Sequence, residues 1–246
     1  MKKTIIHIGQ PRTGTSYLQT LLARNIEQLK KLGFEYHKPA NFEKVIDGKP
    51  RSGNGLEILK KGFKLEEGKI YSNEGLFNSL KEKDGILLKK LQEDTNNFKV
   101  VMYCRNTFEM LYSHWSHKMK NNPNFIKPFG KYAAKKVKIF DFMGEWIELS
   151  KKLGFELEIY NYSLHKTKIW DHFCTNALNL KSTETKNLHT DNTYVNRSLT
   201  FGELFFKLAL NRLKNFESHQ LMFNRMTAKC PDVSKSKPFL NKDIYD

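Results

Sequence analysis

Glycine, hydroxyl and basic side chains are concentrated in residues 9–16 (GQPRTGTS), directly after the aliphatic run 5–8 (IIHI) and before the amphipathic run 17–22. When a strand is followed by a glycine-rich turn and then by the start of a helix, several backbone N–H groups point into one concavity. That concavity lies at the positive end of the helix dipole and suits an anion. The segment therefore predicts a phosphate-type loop, with Thr15 and Ser16 as additional hydroxyl donors.

The loop departs at one position from the pattern GxxxxGK[ST] of nucleoside triphosphatases. Both glycines and Ser16 are present, but Thr15 occupies the lysine position, and the nearest cation is Arg12. Anion binding here depends on Arg12 instead of a loop lysine. The alternative interpretation is a plain glycine turn between a core strand and its helix, with Arg12 merely exposed.

A second candidate anion site follows the apolar run 98–104, which ends at Arg105. Asn106 and Glu109 are placed to cap the next helix. Ser113 lies eight residues beyond Arg105. A single bound group can contact both Arg105 and Ser113 only if the helix has a suitable orientation relative to the preceding strand. The alternative is an ordinary strand-to-helix junction with a solvated arginine.

Together the two segments resemble the sulfotransferases that use 3'-phosphoadenosine 5'-phosphosulfate (PAPS), especially the bacterial carbohydrate-type members. Their loop has the form Pro-Lys/Arg-x-Gly-Thr-Thr/Ser, which residues 11–16 match. Their second motif is an aliphatic strand ending in Arg-Asn-Pro before a helix bearing a serine, and Thr107 replaces that proline here.

The resemblance implies roles for individual residues. The predicted 5'-phosphosulfate site consists of Pro11, Arg12, Thr13, Gly14, Thr15 and Ser16. Arg12 is expected to contact the bridging oxygen, whereas Arg105 and Ser113 are expected to hold the 3'-phosphate. Residues 195–199 (VNRSL) resemble the segment that closes over the nucleotide, so Arg197 and Ser198 are also predicted to contact the donor. Ser198 alternatively caps the helix starting near Thr200.

Transfer to a hydroxyl requires a general base within hydrogen-bond reach. Residues 69–73 form a predicted strand that delivers Glu74 to its carboxyl end, the edge where doubly wound sheets bind ligands. Glu74 is therefore the predicted base, although it could instead be a first-turn helix acid. Glu35 and His37, at the end of the preceding short strand, are the alternatives.

No metal site is predicted. His114 and His117 are spaced to share a helix face, but no third ligand accompanies them in the sequence. A sulfuryl group carries less negative charge than a phosphoryl group, so a bridging Mg²⁺ is not demanded as it is in kinases. The expected cofactor is PAPS as donor co-substrate, without a metal.

Apolar runs alternate with helix-period segments, which predicts an α/β fold: a three-layer P-loop-type domain with a central parallel sheet of about five strands flanked by helices. Predicted strands lie near 3–8, 33–36, 69–73, 98–104 and 155–160, and predicted helices near 15–31, 76–92, 107–120, 140–153, 165–178 and 200–214. We expect a single domain over 1–246, with an inserted excursion near 38–68 and a loosely packed end near 218–246.

Composition favours anionic partners, because 42 Lys and Arg against 26 Asp and Glu give a formal charge of +16. The lysines form no basic tail, so no specific nucleic acid is expected. No apolar run approaches a membrane span, and the apolar start is too short for a signal peptide. A cytoplasmic location is expected, with peripheral contact to an anionic membrane as an option.

The segment from Lys118 to Lys138 contains seven lysines, counting both ends, and no acid, interleaved with Phe125, Phe129 and Tyr132. Such a segment could bind an anionic sugar chain, lie on an anionic membrane, or form a solvated face. The expected acceptor is a hydroxyl of a glycan or glycolipid, and a small phenol or alcohol is the second choice. Two other functions stay open: a P-loop kinase-like phosphotransferase, and a non-catalytic basic module that binds nucleic acid or an anionic polymer.

Overall fold

The computed structural model of the chain describes residues 2–10, 12–43, 53–122, 124–136, 142–190 and 199–212. Three of the predicted donor-site residues, Pro11, Arg197 and Ser198, lie outside these ranges, as does the predicted end near 218–246.

Four parallel strands between residues 4 and 161 form one sheet. The strands are β1 (Thr4–His7), β2 (Ile70–Ser72), β3 (Phe98–Cys104) and β4 (Glu156–Asn161), in the spatial order β2-β1-β3-β4. The chain leaves β1 towards β2 on one side and later continues to β3 and β4 on the other. The loops after β1 and β3 therefore diverge at a topological switch point, where open α/β sheets bind ligands.

The fifth strand predicted near 33–36 is reduced to a single bridge. Glu35 pairs with Lys69, just before β2, through the hydrogen bonds Glu35 N–H to Gly68 O (2.9 Å) and Ile70 N–H to Glu35 O (2.8 Å). Gly33, with φ of 82°, turns the chain immediately before this point. The strand prediction was wrong: only Glu35 pairs with the sheet, while Phe34 and Tyr36 pack in the core cluster.

Helices connect the strands in the predicted order. Their bounds are α1 (Thr15–Arg24), α2 (Ile26–Lys31), α3 (Leu76–Ser79), α4 (Glu82–Asp94), α5 (Thr107–Asn121), α6 (Phe129–Lys136), α7 (Phe142–Leu153), α8 (Tyr162–His165), α9 (Ile169–His172), α10 (Ser182–Thr185) and α11 (Phe201–Arg212). A 3₁₀ helix at Asn54–Leu59 precedes β2, and a π-helical turn at Phe173–Ala177 follows α9.

Several predicted helices are broken into shorter ones. The helix predicted near 15–31 divides at Asn25, whose side-chain amide donates to Leu21 O at 2.8 Å and whose carbonyl oxygen accepts from His189 N–H at 2.7 Å. Asparagine side chains compete with the helical hydrogen-bond ladder in this way. At the start of α4, Lys83, Asp84 and Gly85 have positive φ, so regular helix begins only after them.

Side chains of the central strands alternate between the two faces of the sheet, as expected for strands. Ile5, Val101 and Tyr103 join one apolar cluster together with residues of α1, α2 and α9. Ile6 and Val100 join the other, which includes residues of α3, α4 and α7. Helices thus cover both faces, which confirms the three-layer α/β arrangement.

The chain forms two compact units, Met1–Arg105 with Asp141–Val195, and Asn106–Phe140 with Asn196–Asp246. The first unit contains the sheet. The second contains α5, α6 and α11, whose buried side chains form a separate cluster with Trp115 and Tyr132 in its core. Trp115 Nε1–H donates to Lys127 O at 2.8 Å and so ties the segment before α6 to α5. Among the described residues, no helix is both long and apolar enough to cross a bilayer.

The 3₁₀ helix supports β2 through one buried side chain. Asn54 Oδ1 accepts from Ser72 N–H at 2.9 Å, and its amide donates to Ile70 O at 2.8 Å. Asn54→Ala leaves both strand groups buried without these partners, which costs roughly 2–4 kcal/mol of unfolding free energy. Urea unfolding followed by circular dichroism measures the loss. The exposed control Lys61→Ala should change stability little, and an equal effect in the two variants would contradict this role for Asn54.

Candidate active site

Functional side chains of the first unit converge after the carboxyl ends of its strands. Arg12 follows β1, Glu74 follows β2, Arg105 follows β3 and Tyr162 follows β4. The charge of Arg12 interacts with the other three. Parallel pairing places these strand ends at one edge of the sheet, so residues distant in sequence share one site.

The loop after β1 has an unusual backbone. Arg12 and Gly14 have φ of 73° and 75°, both in the left-handed region. An arginine rarely adopts this region, which costs roughly 1–2 kcal/mol for a residue other than glycine. Thr13 Oγ1–H donates to Gln10 O at 2.6 Å and holds the turn. Left-handed residues in such a turn point neighbouring N–H groups towards one side, as an anion site requires.

Thr15 begins α1 and places its hydroxyl inside the loop. The residue is 1% exposed, and Thr15 Oγ1 has no hydrogen-bond partner among the described residues. A side chain at Gly9 would put its Cβ 1.9 Å from this oxygen, so only glycine fits there. Buried hydroxyl groups in folded proteins nearly always form a hydrogen bond. An anion bound at this helix N-terminus would give the Thr15 hydroxyl a partner.

Arg105 is held beside the loop by Gln10, which lies in the predicted loop 9–16 without an assigned role, and by Tyr162, which the sequence analysis did not place in the site. Its backbone N–H donates to Oε1 of buried Gln10 at 2.9 Å. Its guanidinium lies 5.4 Å from the centre of the Tyr162 ring, a cation–π distance. The Tyr162 ring in turn covers Gly14, where a Cβ would come within 3.1 Å of Tyr162 Cε2. Tyr162 could have been found from the sequence, because it follows a predicted strand as Glu74 does.

The electrostatics of the site couple Arg12 to Glu74. Desolvation raises the pKa of Glu74, and the positive charge of Arg12 opposes part of that rise. Desolvation also lowers the pKa of Arg12, while Glu74 raises it and Arg105 lowers it. Glu74 keeps an exposed surface towards solvent. An accessible carboxylate with a raised pKa is suited to accept a proton near neutral pH.

The alternative bases lie elsewhere. Glu35 pairs with Lys69 at the amino end of β2, which is the opposite edge of the sheet from the loop after β1. His37 lies 3.7 Å from carboxylate oxygens of both Glu35 and Glu57 and is exposed. The geometry of the first unit therefore favours Glu74 over Glu35 and His37.

Ser113, His114 and His117 belong to α5 in the second unit. The pairing of Ser113 with Arg105 on one phosphate stays a prediction. His114 Nδ1 shares a hydrogen bond with the Tyr132 hydroxyl, and His117 lies within 3.0 Å of the Asn121 amide. Within the described ranges, no group of three potential metal ligands occurs.

A buried polar cluster lies beneath the site and joins three of its elements. His7 Nδ1 and Ser72 Oγ share a hydrogen bond of 2.8 Å, and the Gln19 amide donates to Ser72 O at 3.3 Å. These residues belong to β1, β2 and α1, which carry the loop and Glu74. Phe173 packs edge-on to the His7 ring at 5.6 Å between centroids. Complete burial lowers the pKa of His7 to about 4.

The low pKa of His7 predicts a specific pH dependence of stability. Between about 6.5 and about 4 the unfolded chain binds a proton that the folded protein excludes. The free energy of unfolding should therefore fall as pH decreases through this range, by roughly 3 kcal/mol in all. Urea titrations at several pH values should show that the free energy of unfolding falls by roughly 3 kcal/mol less in His7→Gln than in the unchanged protein over this pH range. Parallel pH curves for the two proteins would refute a buried neutral His7.

No protein-family model and no curated protein matches the sequence. Two solved structures are similar to the chain. One is a sulfotransferase from Alicyclobacillus acidocaldarius, with 11% identity and a TM-score of 0.45 over 93% of this chain and 96% of that chain. The other is mouse sulfotransferase SULT7A1 complexed with PAP, with 14% identity and a TM-score of 0.44 over 93% of this chain and 90% of that chain. Both likenesses are too low to assign a function to this chain.

Proposed function

We propose that this chain is a sulfotransferase that moves the sulfuryl group of PAPS to an acceptor hydroxyl. The observation that carries the proposal is the convergence of Arg12, Arg105 and the desolvated carboxylate Glu74 at one sheet edge, around a glycine loop that lacks the triphosphatase lysine. The fit of residues 11–16 and 105–113 to the two donor motifs of that family supports the same conclusion.

Two separate cationic positions suit a donor with two separate anionic groups. The loop amides, Thr15 and Arg12 bind the 5'-phosphosulfate at the start of α1. Arg105, with its backbone fixed to Gln10 and its guanidinium over Tyr162, binds the 3'-phosphate. Ser113 is assigned to the same phosphate, and Arg197 and Ser198 to the nucleotide, on the resemblance alone. In a nucleoside triphosphate all the charge lies on one side of the ribose, so it offers no second anionic group at the position of a 3'-phosphate.

The reaction is an in-line displacement at sulfur. The acceptor oxygen forms a bond to sulfur while the bond from sulfur to the bridging oxygen breaks, and the leaving phosphate keeps the electron pair. Arg12 and the loop N–H groups stabilise the charge that develops on that oxygen. Glu74 accepts the proton of the acceptor hydroxyl. The residues assigned here need no metal ion for these steps.

We assign the acceptor to a glycan or glycolipid hydroxyl, ahead of a small phenol or alcohol, and the location to the cytoplasm. The charge of +16 supports an acceptor that is itself anionic.

Binding of 3',5'-adenosine bisphosphate (PAP), the product of the donor, tests the proposed function directly. Calorimetric titration should give an affinity for PAP roughly tenfold or more above that for ATP, with or without Mg²⁺. Tighter binding of Mg·ATP would indicate a kinase-like phosphotransferase. Binding of neither nucleotide would favour the non-catalytic basic module.

Both arginines should contribute to donor binding. Arg12→Ala and Arg105→Ala each remove a charged hydrogen-bond donor, so each should weaken PAP binding by about 10- to 100-fold. Lys30→Ala removes an exposed charge near the far end of α1–α2 and serves as the control. Unchanged PAP affinity in both arginine variants would reject the site.

Glu74→Gln separates chemistry from binding. PAP affinity should stay within about twofold, while turnover of radiolabelled PAPS with a panel of glycans and phenols should fall roughly 100-fold or more. Turnover of the unchanged protein should decrease as pH falls through the raised pKa of Glu74. The variant should lack this acid limb. A variant with full turnover, or with the same acid limb, would exclude Glu74 as the base.

A further inference from the structure

Three exposed lysines follow one another along α6 and the residues before it. Lys127, Lys131 and Lys135 are each four residues apart and exposed. Lys131 and Lys135 lie about 6 Å apart along the axis of α6 and share one of its faces, whereas Lys127 lies two residues before the helix begins. Gly130 and Ala134, which are also exposed, lie between them. A Cβ at Gly130 would meet no atom within 4 Å, so the space beside this residue is open. We name Lys127, Lys131 and Lys135 the α6 lysine strip.

The charge of the strip is not neutralised by the described part of the second unit. Its acidic residues there are Glu109 and Glu203. Glu203 accepts a hydrogen bond from Thr200 N–H at the start of α11. In the ranges that the structure describes, none of the three strip lysines forms an ion pair. Uncompensated charges of one sign on a surface raise the local concentration of anions.

The aromatic residues of this segment turn inwards, away from the strip. Tyr132 is 4% exposed, and Phe125 and Phe129 pack against the core cluster of the second unit. Their rings meet other rings, at 5.6 Å between Phe125 and Tyr132 and at 5.7 Å between Phe129 and Trp115. The strip therefore offers charge without a stacking surface. The sequence had shown the lysines and aromatics only as one interleaved segment.

The separation of the exposed lysines from the aromatic rings favours some classes of anionic partner over others. Proteins that lie on membranes insert exposed aromatic or large apolar residues at the interface. Proteins that bind single-stranded nucleic acid stack bases on exposed rings. The strip itself contains neither kind of group. Ile126, beside it, is 48% exposed, but single exposed apolar residues are ordinary on protein surfaces.

We propose that the α6 lysine strip binds an acidic polysaccharide, a polymer whose carboxylate or sulfate groups repeat along a chain of sugars. Regularly spaced cations on an open face match regularly spaced anions, and sugar rings need no aromatic platform when their charges hold them. That such a polysaccharide also serves as the acceptor rests on the proposed function, whereas its binding to the strip does not.

The test uses heparin as the probe and the full chain as the protein. The triple variant Lys127→Ala, Lys131→Ala, Lys135→Ala should bind heparin roughly tenfold or more weakly, and the dependence of log affinity on log salt should fall by about two to three. The control Lys60→Ala, Lys61→Ala, Lys64→Ala removes three exposed lysines of the first unit and should bind like the unchanged protein. Equal heparin affinity and salt dependence in the two triple variants would overturn the strip as the site.

Three further measurements separate the possible failures. Tighter binding of duplex DNA or of phosphatidylserine vesicles than of heparin, at the same salt concentration, would overturn the choice of partner. Alanine favours helix, so circular dichroism and urea unfolding of the triple variant should match those of the control. PAP affinity should be the same in all these proteins. If the unchanged chain binds heparin but not PAP, the proposed function fails while the strip stands.

Discussion

Parallel pairing of β1 with β2 on one side and β3 on the other is the constraint on which the site depends. It brings the loop after β1, Glu74 after β2 and Arg105 after β3 to a single edge. The buried contacts of Ser72 with His7, Gln19 and Asn54 hold β1, β2, α1 and the 3₁₀ helix in this arrangement. Because these polar groups are buried, leaving any of them unpaired would be costly. The network thereby links the stability of the fold to the geometry of the site.

The candidate site combines a strained backbone conformation with a buried hydroxyl that has no described partner. Arg12 occupies a left-handed conformation that suits glycine, and Thr15 Oγ1 is buried without a described partner. Arg12 and Glu74 are both partly desolvated, and each shifts the pKa of the other towards the charged form. An anion bound in the loop would pair with Arg12, satisfy the Thr15 hydroxyl and use the N–H groups that the turn directs towards it. Strain and unpaired groups at one place are typical of a functional site.

The basic character of the chain has a local distribution that total charge conceals. In the first unit several lysines are paired, as in Lys99 with Glu158 at 2.6 Å and Lys69 with Glu66 at 2.7 Å. Lys127, Lys131 and Lys135 of the α6 lysine strip form no ion pair with any residue that the structure describes. The net charge of +16 therefore includes both paired lysines of the first unit and, among the described residues, the unpaired lysines of the α6 lysine strip.

Much of the architecture follows from local sequence. Four of the five predicted strands, the order of the main helices and the glycine turn after β1 are encoded in short stretches where apolar periodicity, glycine and capping residues agree, as in residues 5–16 and 98–109. Tertiary structure decided the rest. Residues 33–36 form one bridge and no strand, which their apolar pattern alone did not reveal. The contacts of Arg105 with Gln10 and Tyr162 depend on sheet order, and the edge that each carboxylate occupies separates Glu74 from Glu35. Residue types and spacing are local properties, whereas sheet order and burial arise only when distant segments meet.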